Sequence, residues 1–261
     1  MSFHSSLPLA AMTATLLSSS SFGALIAGDV AIVGFQASGV TTDSVSFVTF
    51  VDLAPGTVLY FTDNGWTGTA FRGVSASDGD GNESLMRFTA VNTIVAGTII
   101  GSRTSSADYA WALSGSIGPG TSKYAQVSLS TDGDQVTILE STNASNPIFS
   151  GFTALYNFDN TGAYENATSS NNGSLAPGLV QGTSAVLLTS LANSALFNLN
   201  TLASGTRAEW LAAIGNAANW TTGTGTADAG SGFINVVPAP GALALLACAG
   251  MVGSRRRRGA R

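Results

Sequence analysis

Val45-Ser-Phe-Val-Thr-Phe-Val51, followed by Ala54-Pro55-Gly56 and Thr57-Val-Leu-Tyr-Phe-Thr62, decides the fold class. The two outer runs are β-branched and aromatic, the residue types that suit a pleated, half-buried surface. The tripeptide between them is a turn. Proline sets φ at the second turn position, and glycine accepts positive φ at the third. Strand, turn and strand therefore fit within residues 45–62.

The same grammar extends both ways. Upstream, Asp29-Val-Ala-Ile-Val-Gly-Phe35 reads as a strand. Downstream, further strands are expected at residues 84–90, 98–101, 109–113, 125–129, 135–139, 153–158 and 185–188. Clusters of Gly, Asn, Asp and Ser separate them, as in a sandwich or barrel of short strands. No internal repeat of 20 to 50 residues stands out. One helix is signalled. Thr206-Arg207-Ala208-Glu209 has the capping-box spacing, in which hydroxyl and carboxylate each satisfy the other residue's backbone N–H. Trp210, Leu211 and Ile214 would then share an apolar face, and Gly215 would end the helix. The expected architecture is an all-β sandwich with one short helix near its C-terminal end.

Four segments follow from composition. Residues 1–27 read as a secretory signal peptide, with an apolar run at 7–17 and small residues near a cleavage point at Ala24 or Ala27. Residues 28–220 form the β-domain. Residues 221–236, rich in Gly, Thr and Ala, read as a flexible linker. Residues 237–261 form a C-terminal address. Gly241 opens an uncharged run to Gly253, which Arg255, Arg256, Arg257 and Arg258 follow. Thirteen residues make roughly 20 Å of helix, against a hydrocarbon core of about 30 Å. Counting from Val236 to Ser254 brings the length to about that of a transmembrane helix. The arginines are costly to translocate, so the C-terminus is expected in the cytoplasm and the body outside.

Val237-Pro238-Ala239-Pro240-Gly241, the short apolar segment and the arginine cluster together resemble the PEP-CTERM class of bacterial sorting signals, in a variant with Ala239 between the prolines. The resemblance implies recognition by an exosortase, a membrane transpeptidase that cuts near the proline motif. It implies delivery to the cell envelope, the cell surface or the extracellular matrix. A second resemblance covers about 28–220. Gly28-Asp-Val-Ala-Ile-Val-Gly-Phe35 and Ala54-Pro-Gly-Thr-Val-Leu-Tyr-Phe-Thr-Asp-Asn-Gly-Trp66 are similar to bacterial extracellular domains of the lamin-tail, immunoglobulin-like kind. That likeness implies a surface β-sandwich and no catalytic residues.

The charge pattern narrows the function. Only 10% of residues are charged. Outside the tail, five basic residues face fifteen acidic ones, a net of −10. Nucleic-acid binding needs a basic footprint and is not expected. The single histidine is His4, in the signal, and the single cysteine is Cys248, in the tail. The body therefore holds no Ser-His-Asp triad, no Cys-His pair, no histidine-ligated metal and no disulfide. A non-catalytic surface protein is expected. A hydrolase working through paired carboxylates is a remote alternative.

Two candidate sites remain. Asp78, Asp80, Asn82 and Glu83 alternate with glycines, an oxygen-rich pattern that suits Ca²⁺, although no Glu closes a 12-residue loop. The shorter Asp132-Gly133-Asp134 reads as a hairpin turn. Trp66, after Asp63-Asn64-Gly65, offers a ring on which a sugar of an exopolysaccharide could stack. The competing reading has Asn64-Gly65 making a turn and Trp66 covering the edge of the core.

Overall fold

A computed structural model describes residues 23–37, 43–73, 85–113, 126–165, 171–189, 191–224 and 229–239. The described strands are β1 (Val30–Gln36), β2 (Ser44–Thr49), β3 (Val58–Thr62), β4 (Leu85–Ala90), β5 (Thr98–Gly101), β6 (Tyr109–Ala112), β7 (Gln135–Ser141), β8 (Phe152–Asp159), β9 (Ala185–Leu187), β10 (Ser194–Phe197), β11 (Trp220–Gly223) and β12 (Ser231–Phe233). Helix α1 (Arg207–Ile214) lies between β10 and β11. Among these residues the strands form two six-stranded sheets. One runs β11-β10-β1-β2-β5-β12 and the other β6-β4-β3-β7-β8-β9. Every neighbouring pair is antiparallel except β8 with β9. The fold is an all-β sandwich with one short helix.

Aromatic rings join the sheets. Phe47 of β2 reaches across to Phe61, Phe88 and Trp111, with centroids 5.2, 5.2 and 6.2 Å away. Phe35 of β1 stacks on Phe158 of β8 at 4.8 Å. Trp220 then links Phe158 to Phe197, and Phe197 meets Trp210 of α1. The capping box forms as expected. Thr206 Oγ1 accepts from the Glu209 N–H, and Glu209 Oε2 accepts from the Thr206 N–H at 2.7 Å. Trp210, Leu211 and Ile214 are the buried residues of α1, and Gly215 caps it.

β1 and β2 are buried along their whole length, not on alternate residues. Their outer faces are covered too. α1 packs on β1, and the Ala229 N–H donates to the Ser46 hydroxyl of β2. The second sheet carries a separate apolar cluster of Tyr60, Trp66, Phe71, Leu85, Leu139 and Leu179.

Three expectations are corrected. The described parts of the expected linker at 221–236, residues 221–224 and 229–236, are not free. β11 pairs with β10, β12 pairs with β5, and Ile234 is buried. Small Gly, Ser and Thr side chains let β11 and β12 lie flat against the sheet, so the composition that suggested flexibility serves close packing there. Residues 126–129 form no strand. Val127 and Leu129 are buried in the core, but the N–H groups of Ser128 and Leu129 bond carboxylates instead of a neighbouring strand. β10, at residues 194–197, was not expected at all. Its Ser-Ala-Leu-Phe is short, and it draws its hydrogen bonds from β1 and β11, which lie far away in sequence.

Gly97 holds the returning segment. Its N–H donates to Thr49 O at 2.6 Å, and its carbonyl accepts from Ile234 N–H at 2.9 Å. Its φ is +92°, and a Cβ there would lie 2.2 Å from Ile234 O. Positive φ alone costs a non-glycine residue about 1–3 kcal/mol. Gly97→Ala is therefore expected to lower the unfolding free energy by at least that amount, read from a lowered denaturant midpoint, and to speed proteolysis between residues 224 and 237.

Candidate functional site

One end of the sandwich gathers buried acids. Asp43 precedes β2, Asp63 follows β3, Asp134 precedes β7, and Asp159 ends β8. All four are buried. Residues 126–134 cross this end as a strap, and carboxylates receive its backbone. Leu129 N–H donates to Asp43 Oδ2 at 2.6 Å, Ser128 N–H to Asp63 Oδ2 at 2.6 Å, and Ser130 N–H to Asp134 Oδ2 at 2.7 Å. Asp43 belongs to the first sheet, while Asp63 and Asp134 belong to the second. The strap thus ties the two sheets together with charge-assisted bonds, which are stronger than neutral ones. It also satisfies backbone groups that no strand could reach.

A ring of amides extends the network. Asp134 N–H donates to Asn160 Oδ1 at 2.7 Å, and Asn160 Nδ2 donates to Ala192 O at 2.7 Å. Gln135 Nε2 donates to Asp63 O. On the outer face of the second sheet, Asn157 Nδ2 donates to Thr137 Oγ1 at 3.0 Å.

Burial raises the pKa values of Asp134 and Asp159. Burial raises Asp134 well above the usual carboxylate range, and Asp63 and Asp159 add to this. The N–H groups of Ser130 and Gln135 oppose it. Asp159 is raised to about 6, chiefly by burial. The N–H and hydroxyl of Thr161 counteract that rise through Asp159 Oδ1. Asp159 Oδ2 is buried and accepts from no described donor.

Among the described residues no group of three or more His, Cys, Asp or Glu side chains is arranged to hold a metal ion. The reason is visible at this end: the carboxylate oxygens turn onto separate backbone N–H groups instead of converging. Asp78, Asp80, Asn82 and Glu83, expected to suit calcium, lie outside the described residues. Asp132-Gly133-Asp134 makes a turn, with Gly133 at φ 100°, but the strap before it is no strand, so the turn closes no hairpin.

Trp66 is 8% exposed. Its ring packs edge-on against Phe71 at 5.1 Å and Phe152 at 5.8 Å. Bridges from Trp66 to Phe71 and Ser174 fold its loop inward. The ring closes the outer apolar cluster and leaves little face for a sugar.

The opposite end of the sandwich carries both the start and the exit of the described chain. The Asp29 carboxylate pairs with Arg207 at the start of α1. Trp210 Nε1 and the Gly205 N–H both donate to Asn235 O at 3.1 Å, and Val237 N–H donates to Gly205 O at 2.9 Å. Beyond that last bond Pro238 and Ala239 are exposed. Pro240, Gly241 and the arginines at 255–258 lie outside the described residues. No described helix is long and apolar enough to cross a membrane. Comparison of the chain with protein-family models, with curated proteins and with solved structures gives no match.

The acidic end generates a pH dependence of definite sign. Asp159 titrates near 3.8 when unfolded and at about 6 when folded. The folded state therefore binds more protons between those values. The stability it contributes is fully present below about pH 4 and is lost as pH rises through about 6. Asp159→Asn keeps an acceptor for Thr161 without the buried charge. Urea midpoints measured from pH 4 to 8 are expected to fall less steeply in the variant, with a relative gain of up to about 3 kcal/mol at pH 7.5.

Proposed function

We propose that this chain is a secreted, non-catalytic protein of the bacterial cell surface or extracellular matrix. Its lamin-tail-like, immunoglobulin-like body is delivered by an exosortase-type transpeptidase that reads Val237-Pro238-Ala239-Pro240-Gly241, the apolar segment and Arg255–Arg258. The observation that carries this reading is where the proline motif begins. Val237 makes the last backbone hydrogen bond of the described fold, and Pro238 and Ala239 follow it, exposed. A membrane enzyme would meet the motif at the surface of a folded body, with no slack before it.

The geometry supports an orientation as well. The segment joining the membrane leaves from the end that holds Asp29, Arg207 and Gly205. The four buried aspartates lie at the far end of strands such as β1, about 20 Å away. The acidic end then faces outward, away from an anionic membrane surface. The body acts by being displayed there, without a reaction of its own.

Intact mass of the protein recovered from its native host, fraction by fraction, tests this. A C-terminus within residues 237–241, in envelope or medium, is the expected result. An intact Arg261 in the membrane fraction would sink the sorting reading. Calcium at residues 78–83 is tested separately by thermal melting. A ligand at a hundredfold excess over its Kd adds about 2.7 kcal/mol, so an unchanged Tm between millimolar Ca²⁺ and chelator would remove calcium from the reading.

A further inference from the structure

The start of the described chain holds a carboxylate with an unusual partner. Leu25 N–H donates to Glu140 Oε2 at 3.1 Å, across 115 residues of sequence. Glu140 shares a cleft with Asp29, Asp52, Ala24, Leu25 and Thr57. The other two acids are already engaged. Asp29 pairs with Arg207, and Asp52 Oδ1 accepts from the Ala96 N–H at 2.8 Å. Glu140 receives only the neutral amide of Leu25. Burial raises its pKa and Asp29 raises it further, against the Leu25 N–H.

Leu25 is also the first buried residue among those described. Gly23 and Ala24 are exposed, and nothing lies within 4 Å of a Cβ placed at Gly23. Leu25 is 8% exposed and belongs to the main core. Ile26 N–H donates to Asp29 Oδ2 at 2.9 Å, and Ile26 O accepts from Asp29 N–H at 3.0 Å. A chain beginning at Gly28 would lose all three contacts. A chain beginning at Ala24 would place its ammonium on an exposed residue.

We propose that the mature protein begins at Leu25 and that its α-ammonium sits against the Glu140 carboxylate, in the cleft shared with Asp29 and Asp52. The inference rests on the reading of residues 1–24 as a secretory signal. A signal endopeptidase would hydrolyse the Ala24–Leu25 peptide bond. Water supplies the hydroxyl that joins the Ala24 carbonyl carbon, the C–N bond breaks, and the leaving nitrogen takes up protons as an ammonium. Removal of the signal then turns an amide–carboxylate hydrogen bond into an ion pair with a charge on both partners. The folded body thereby gains the cation that Glu140 lacks. Asp29 and Asp52 are the other charged groups lining this cleft, and Asp29 is paired with Arg207.

Two measurements on the exported full-length protein, recovered from its host, test the inference. The first is the N-terminal residue, by mass and sequencing. Leu25 is expected. A start at Ala24 or Gly28 overturns the inference while leaving export intact, and an uncut Met1 overturns the signal reading with it. The second is the titration of the α-amine, followed by its rate of acylation against pH. A free α-amine titrates at about 7.7–8.0, and a carboxylate in contact raises that value. The expected pKa is higher by about one unit, which slows acylation about tenfold at pH 7. Glu140→Gln is expected to restore the ordinary rate, and Glu140→Asp to leave an intermediate one. An α-amine that titrates at the ordinary value in the unmutated protein overturns the seat without any variant.

Discussion

Phe47, set among Phe61, Phe88 and Trp111, is the contact on which the two sheets depend. With Cys248 the only cysteine, no disulfide can staple this chain, and few charges are available to pair. Cohesion must come from buried apolar area, and aromatic rings bury the most per side chain. The second ring cluster, from Phe35 through Phe158 and Trp220 to Trp210, extends the same principle to the helix. The helix matters less as helix than as a lid that lets β1 be apolar on both faces.

Closing a sandwich raises a polar problem, and the two ends answer it differently. At the acidic end, carboxylates do the work of a missing strand by accepting backbone N–H groups from the strap at 128–130. The cost is carboxylates taken out of water, expressed as the raised pKa values of Asp134 and Asp159, with neighbouring acids adding to the rise. At the other end, backbone bonds among Gly97, Ile234, Gly205 and Val237 join the returning chain to the sheets. One end therefore responds to pH, and the other fixes where the chain leaves the body.

Several features were legible in the residues. Thr206 and Glu209 announced the capping box, because its two hydrogen bonds are local and need only four residues. Ala54-Pro55-Gly56 announced its turn for the same reason. The candidate sites were less legible. Asp43, Asp63, Asp134 and Asp159 look like ordinary loop acids, since nothing in their spacing says that one strap will cover them. Trp66 could be read as a binding ring or a core ring, and only the approach of Phe71 and Phe152 decides between them.

The division has a physical basis. The sequence by itself determined the strand-rich class, the helix with its caps, the absence of histidine and cysteine chemistry in the body, and the charge separation between body and tail. Each depends on composition or on neighbours a few residues apart. Tertiary structure alone decided that residues 229–237 pack instead of swinging free, that 126–130 serve as a strap, and that Leu25 meets Glu140. Those outcomes rest on backbone groups choosing partners far away in sequence. A glycine-rich segment can lie free or lie flat with the same composition, and only the sheet beside it settles which.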